Sequence, residues 1–543
     1  MDMLMCENII THGTILRCNY TGFNEHCRER LIKNISNAAS TLRVVDTGYN
    51  DIITKIVVRH PDFKHMALKT LILHNIFLEI KDLLTILKYI KHNTTLERVI
   101  YTGEFKKNKE AKLIKYLSNI SSLAFLELSS RAIVTLDAYY ALSKLIRTHK
   151  TLNHLDLSSS KLSSDAIHVV LASAGHHMSL KTLILSGNNL HDKGRKNGAF
   201  ALGEMLRHNS TLQKLDVSGC CLREGVKYIL KALKYNDHLI KLNIRYNDLD
   251  DNIATNISDM LNHNNTLLSL KISDNNIGQS CWQMISASLE KNSTLKTFKM
   301  TSNYIDKNIM NNAIDTISKN NTITKLCVGS LGAYVNENHL AKMIQHRSLR
   351  KLFLNDVYIG PHKAAILCGA LGQNCQLKLL SLWNTAIDVV PSGFYYSGIP
   401  KNICIHGPIT YETHCRRGTT LLLEAMKTNK SLKDLTLWDP LFDHTSYTNI
   451  INILAINDHL KKITFYKQDY TTFGARRDLS IGRQNAELLL NVLKFNYRIV
   501  ELKFLCINND IRQQVNYFLN RNICNKKLKS TSLMSMFSTN IDY

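Results

Sequence analysis

Between Leu152 and Ile305 the apolar residues keep one rhythm through six copies: LNHLDLSSSKL, LKTLILSGNNL, LQKLDVSGCCL, LIKLNIRYNDL, LLSLKISDNNI and LKTFKMTSNYI. Counting each opening residue as position 1, apolar side chains stand at 1, 4, 6 and 11, with a small or amide residue at 9. Positions 4 and 6 are two apart and share one face of an extended chain, so each copy predicts a short strand with its aliphatic side chains turned to a core. Copies in fixed register predict parallel strands side by side. Position 9 is Asn in Asn188, Asn247, Asn275 and Asn303, where the chain leaves the strand and a buried amide can satisfy exposed backbone groups. Cys220 fills the same slot as a small apolar substitute.

Behind each strand a different period takes over. Counting back from the next opening residue, apolar side chains recur at minus 6, minus 10 and minus 14, as in Leu261, Ile257 and Ile253, or Leu289, Ile285 and Cys281. A spacing of four is one face of a helix. Asn stands at minus 3 in most copies, including Asn209, Asn236, Asn264, Asn292, Asn320, Asn374, Asn429, Asn457 and Asn496. Asn tolerates the left-handed conformation that closes helices, so it predicts the helix stop. The N-x-S/T sequons at Asn209, Asn264, Asn292 and Asn320 follow from this grammar without any need for glycosylation.

The rhythm extends in both directions. Weaker copies open at Leu42, Leu68, Leu96 and Leu123, and others follow to Ile499, which makes about sixteen repeats of modal period 28. Residues 1–41 lie outside it and predict an N-terminal cap. Repeats fill 42–387. The stretch 388–414 holds Pro391, Pro400 and Pro408, and reads as an inserted loop or a decayed repeat. Repeats resume over 415–520 with a smaller insertion near 470–484, and 521–543 predicts a last cap and a basic tail.

The phrase L-x-x-L-x-L-x-x-N/C-x-L, the period of 28 and one amphipathic helix per copy resemble the ribonuclease-inhibitor-like family of leucine-rich repeat proteins, which includes the arrays of ribonuclease inhibitor and NOD-like receptors. The resemblance implies an α/β solenoid, a horseshoe with parallel strands on its concave face and helices on its convex face. It also implies partner binding by residues on the concave strands and adjoining loops.

Composition narrows the function class. With 68 Lys and Arg against 44 Asp and Glu, the net charge of +24 favours an acidic protein face, nucleic acid or an anionic membrane surface. Ribonuclease inhibitors are acidic, so the charge argues against a trap for basic ribonucleases. Thirteen cysteines without a disulfide rhythm fit reduced thiols in the cytoplasm. No phosphate loop, nucleophile elbow or H-E-x-x-H helix occurs, so no enzyme, cofactor or metal is expected. Cys404, His406, His414 and Cys415 lie close together, but their spacing matches no zinc finger and reads as an ordinary loop.

The position after the third strand residue carries Ser129, Ser158, Ser186 and Ser218 early in the chain and Trp383, Trp438 and Tyr466 late. It is expected at the exposed end of the strand. Arg416, Arg417, Arg476 and Arg477 fall in or beside the two insertions. Together they predict a basic and aromatic partner site in the C-terminal third, against the alternative of aromatics packed beneath a loop. Lys214, Lys241, Lys271, Lys299, Lys325, Lys351 and Lys433 read as a lysine ladder on the strands, explained equally well as repeat grammar. The expected function is a non-enzymatic protein-binding scaffold for an acidic protein, with no membrane span. A chain rich in Asn, Ile, Lys and Tyr hints at a parasite or virus, whose partner would be a host protein. A basic nucleic-acid-binding solenoid and a GTPase activator resembling the Ran activator are the alternatives.

Overall fold

The computed structural model describes residues 15–18, 41–45, 68–74, 88, 94–103, 110–129, 135–162, 164–191, 198–301, 303, 307–329, 336–355, 361–374, 376–383, 417–438, 444–466, 483–503 and 509–537. The chain divides into two compact units, Met1–Ile277 and Gly278–Tyr543. In the first, β1 (Ile15–Cys18), β2 (Thr41–Val45), β3 (Thr70–His74), β4 (Arg98–Thr102), β5 (Phe125–Ser129), β6 (His154–Asp156), β7 (Thr182–Ile184), β8 (Lys214–Asp216), β9 (Lys241–Asn243) and β10 (Ser269–Lys271) pair in chain order, all parallel. The second unit pairs β11 (Thr297–Met300), β12 (Lys325–Val328), β13 (Lys351–Asn355), β14 (Leu379–Trp383), β15 (Asp434–Trp438), β16 (Lys462–Tyr466) and β17 (Glu501–Lys503) in the same way.

Position 3 faces position 3 throughout, so equal positions form rows across each sheet. The aliphatic rows make the core: Leu180, Leu183 and Leu185 are wholly buried, as are Leu377, Leu380 and Leu382. Burying each such side chain contributes roughly 1.5–3 kcal/mol. The helices supply the opposite wall, with Ile253, Ile257 and Leu261 buried in the first unit and Cys281, Ile285 and Leu289 in the second.

The start and end of the array differ from the expected boundaries. β1 lies within residues 1–41, the expected cap, and pairs with β2 in register. Leu42 pairs with Leu71 and therefore stands at position 4, so it does not open its repeat. At the other end the helix Asn509–Phe537 runs through most of the expected tail. β14 pairs directly with β15, and Asn429 donates to the Leu371 carbonyl at 2.6 Å, so the repeats on either side of residues 384–416 are neighbours.

The asparagine at minus 3 ends the helix by other means than expected. Asn264 (φ −77°, ψ 123°) and Asn292 (φ −67°, ψ 120°) are extended, not left-handed. The side chain does the work. The Asn264 amide donates to Leu233 O at 2.6 Å and Asn236 O at 3.0 Å, and its oxygen accepts from the Thr266 and Leu267 amides at 3.1 and 2.8 Å. One amide thereby satisfies the loose carbonyls of the preceding helix end and the amides entering its own strand. In the second unit Asn320, Asn374, Asn429, Asn457 and Asn496 repeat the rung. Asn522 ends it, donating to Asn496 O and Ile499 O. The sequon residues Asn209, Asn264, Asn292 and Asn320 are all buried here.

Among the described residues, three rungs are histidine. The His149 Nε2 faces Ile120 O at 2.7 Å, the His177 Nδ1 accepts from the Ser179 and Leu180 amides, and the His346 Nε2 faces Ile317 O at 3.2 Å. Burial holds all three below the usual imidazole range.

Candidate functional site

As each strand of the regular repeats ends, position 8 turns left-handed: Ser159 (φ 52°), Gly187 (71°), Gly219 (65°), Tyr246 (54°) and Asp274 (58°). Position 9 then points inward. Asn188 donates to Leu157 O and Leu185 O at 2.8 Å each, and Asn247 donates to Val217 O and Arg245 O at 2.9 and 3.0 Å. The smaller occupants face the same two carbonyls with a single proton, Ser160 nearer Leu128 O at 2.8 Å than Ser158 O at 3.4 Å, and the Cys220 thiol nearer Leu185 O at 3.2 Å than Ser218 O at 3.6 Å. Cys220 is therefore a donor and not an apolar filler, and burial pushes its thiol up to about 12, which keeps the proton on it.

On the face of the sheet away from the helices, the first unit pairs its own charges. The Arg98 guanidinium sits 3.5 Å over the Phe125 ring, which stacks on His154 at 3.9 Å. Desolvation, with Lys214 and Arg98 nearby, pushes His154 down to about 4. Glu127 is raised by burial and by the Asp156 charge. Asn243 donates to Asp216 at 2.8 Å, and Arg245 holds Asp274 through Nε and Nη2 at 3.1 and 2.7 Å. Position 7 is less open than expected, with Ser129 and Ser273 buried and Ser158, Ser186 and Ser218 half-buried.

Trp383, Trp438 and Tyr466 are the last residues of β14, β15 and β16. The backbone register puts Asn355 beside Trp383 and Trp438 beside Tyr466, while Leu382 beside Leu437 aligns the two tryptophan strands. The structure thus assembles one row from residues far apart in sequence. Arg417 opens the helix Arg417–Thr428, whereas Arg416, Arg476, Arg477, Cys404, His406, His414 and Cys415 lie outside the described residues.

The lysine ladder needs one correction and one addition. Lys433 precedes β15, and Asp434 holds the strand position instead. Lys433 belongs to position 2, a row joined by its own backbone ladder: Thr324 to Lys296 O at 2.9 Å, then Arg350 to Thr324 O, Lys378 to Arg350 O, Lys433 to Lys378 O and Lys461 to Lys433 O at 2.8 Å each. Sequence reading missed this row because it followed the strand's alternation, which stops one residue short of it. Aligning the copies and reading down column 2 finds it.

Beyond these rows, no described helix is long and apolar enough to cross a membrane, and no group of three or more His, Cys, Asp or Glu side chains among the described residues is placed to hold a metal ion.

A leucine-rich repeat family model matches residues 176–197, 208–227, 235–258 and 263–280. The chain is 28% identical over 249 residues to the NACHT, LRR and PYD domains-containing protein 4E of Mus musculus, covering 45% of this chain and 24% of that protein. It is 29% identical over 130 residues to leucine-rich repeat-containing protein 45 of Gallus gallus, covering 23% of this chain and 19% of that one. The chain thus spans about a quarter or less of these relatives' length. Among solved structures, an internalin from Listeria monocytogenes aligns over 68% of this chain and 81% of its own at 16% identity, with a TM-score of 0.33.

Proposed function

We propose that this leucine-rich repeat protein, whose array resembles those of NOD-like receptors, is a non-enzymatic scaffold that holds one protein partner against the open face of its strands and the loops beside them. Arrays of this kind generally serve protein binding. The observation that carries the placement is the row formed by Trp383, Trp438 and Tyr466 at the ends of three successive strands. Large aromatics on a rigid edge are the side chains that dominate binding energy at interfaces. Arg416, Arg417, Arg476 and Arg477, carried on or beside the neighbouring insertions, supply cations toward an acidic partner. The spacing of the thirteen cysteines, which follows no disulfide rhythm, supports a cytoplasmic setting for this work.

The test is a nuclease-treated pull-down from cell lysate, comparing the native chain with a Trp383→Ala, Trp438→Ala, Tyr466→Ala triple variant. The expected result is a small set of proteins retained by the native chain and lost by the folded variant, since aromatic anchors cost about 2 kcal/mol or more each when truncated. Retention of the same proteins by both forms moves the site elsewhere. Nucleic acid as the sole co-purifying material, present only when nuclease is omitted, overturns the scaffold in favour of a basic nucleic-acid-binding array.

A further inference from the structure

The same backbone row differs in kind between the two units. In the first unit position 2 is occupied by Lys69, Glu97, Ala124, Asn153, Lys181, Gln213, Ile240 and Leu268, joined amide to carbonyl at 2.8–2.9 Å. Lys69 and Glu97 pair at 3.8 Å, and Leu268 stands 39% exposed, so nothing in the fold requires lysine there. In the second unit the row runs Lys296, Thr324, Arg350, Lys378, Lys433, Lys461 and closes on Val500. Lys296 and Lys433 are exposed, and among the described residues none of Lys296, Arg350, Lys378 and Lys433 has a carboxylate partner. Arg350 turns Nη1 toward the carbonyls of Arg347, Ser348 and Leu349. Where Thr324 interrupts the row, Lys325 follows at once, its ammonium 4.9 Å from the Phe353 ring centroid.

We infer that this cationic row on the second unit is a docking track for an extended acidic segment of a partner polypeptide. The inference deepens the scaffold reading above by giving the partner's chemistry and a second place of contact. Successive strands lie about 4.8 Å apart, so the five steps from Lys296 to Lys461 span roughly 24 Å, the reach of about seven extended residues. Carboxylates at alternate residues of such a segment recur about every 6.8 Å on one side, a mismatch that the flexible lysine stems absorb. Fixed negative charge beside the track favours a polypeptide over a nucleic acid. Asp434 lies next to Lys433, and Glu501 holds Lys462 at 2.6 Å and Lys503 at 2.8 Å. A continuous phosphate backbone must meet these carboxylates, whereas a polypeptide can place a neutral residue opposite them.

The test uses the full chain and fluorescence anisotropy with three labelled probes: an eight-residue Glu-Ser repeat, a sixteen-residue Glu-Ser repeat and a single-stranded oligonucleotide of eight nucleotides. The eight-residue peptide is expected to bind, and doubling its length is expected to tighten binding less than roughly three-fold, since the row is then already filled. A Lys296→Glu, Lys378→Glu, Lys433→Glu variant is expected to weaken peptide binding roughly 30-fold or more, while Lys181→Glu in the corresponding row of the first unit changes it less than about two-fold. A Lys→Gln version of the triple variant guards against damage by the reversed charges and should lose roughly half as much on a logarithmic scale. Equal losses from the first-unit and second-unit variants overturn the inference, as does tighter binding of the oligonucleotide with the same dependence on the row. If peptide binding ignores the row while the aromatic triple variant still loses its captured proteins, the track fails and the scaffold stands. If peptide binding follows the row and the aromatic variant loses nothing, the track stands and the aromatic site fails.

Discussion

The two units build the helix-to-strand side of a repeat alike, while the copies differ among themselves at the strand exit. At minus 3 both use a buried amide, Asn264 bonded to Leu233 in one and Asn457 bonded to Met426 in the other, each at 2.6 Å. At position 9 the copies part. Copies with Ser160, Asn188, Cys220, Asn247 or Asn275 there have strands of three residues, β6 to β10. Copies with Val357, Thr385, Pro440 or Gln468 have the five-residue strands β13 to β16. The rule is not peculiar to one unit, since β4 and β5, with Glu104 and Arg131 at position 9, also run five residues. A side chain that turns inward to gather carbonyls pulls the chain out of the sheet early. Between the two lengths stand the four-residue strands β11 and β12, with Asn303 and Leu331 at position 9, and in β14 to β16 the strand continues to position 7, at Trp383, Trp438 and Tyr466.

The strongest break of this comparison is at the amides themselves. Asn247 is wholly buried, gives two hydrogen bonds and receives two, from the Cys220 and Leu222 amides at 2.9 and 3.1 Å. Asn247→Leu leaves those groups without partners and is expected to cost about 3–5 kcal/mol. Asn457→Leu removes four bonds of similar length and is expected to cost about the same. Because repeat arrays unfold by parts, hydrogen exchange along β8 and β9, and along β15 and β16, is the appropriate reading beside a urea titration. A cost confined to Asn247 would show that the minus 3 rung is incidental and that the two units are held by different means.

A gentler probe is pH, because among the described residues the first unit has two histidine rungs, His149 and His177, and the second has one, His346. All three are held below the ordinary imidazole pKa by burial. In the unfolded chain they take up protons below about pH 6.5. Their stabilising contribution is therefore complete above that pH and is lost as pH falls through their lowered folded values. Each adds a limiting slope of about 1.4 kcal/mol per pH unit in that window. Exchange measured between pH 7 and 5 should thus show the first unit losing protection more steeply. His149→Asn installs the commoner rung and should flatten the first unit's dependence. An unchanged slope would assign the acid sensitivity to other groups, among them His154.

What could be read from sequence follows the same division. The core rows, the pairing of strands and the minus 3 column are legible because most copies repeat them, and repetition exposes a column even when its mechanism is misjudged. The mechanism at minus 3 was misjudged because Asn fits both a left-handed stop and a carbonyl-gathering side chain, and only geometry separates them. β1 escaped notice since Ile15 to Cys18 lacks the leucine spacing of the later copies, while Leu42 mimics an opening residue from position 4. The aromatic row was legible by counting positions. The cationic row is legible in the same way down column 2, but its residues precede the strand and escape a reading that follows the strand's alternation; the ladder from Lys296 to Lys461 makes them neighbours.

The smallest effects come from two helical glycines that look alike in sequence. Gly203 lies in the helix Gly198–His208, where an added Cβ would stand 2.8 Å from the Tyr228 carbonyl oxygen and 3.0 Å from that residue's C and Cβ. Those are atoms of the neighbouring helix Val226–Leu233, chiefly its backbone, and they cannot swing aside as a side chain tip can. The absence of a side chain at Gly203 is what lets the two helices approach and lets Phe200 meet Tyr228 edge to face at 5.3 Å. Gly203→Ala should therefore cost about 1–3 kcal/mol by overpacking, even though alanine is the better helix former. Gly369 lies in the helix Pro361–Gln373 of the second unit and has nothing within 4 Å of an added Cβ. There the same substitution only restricts the unfolded chain and should stabilise by about 0.5–1 kcal/mol. Thermal unfolding of the two single variants measures the pair. Shifts of opposite sign confirm that helix spacing in the first unit is set by backbone contact, and shifts of one sign would mean that its helices can separate without loss.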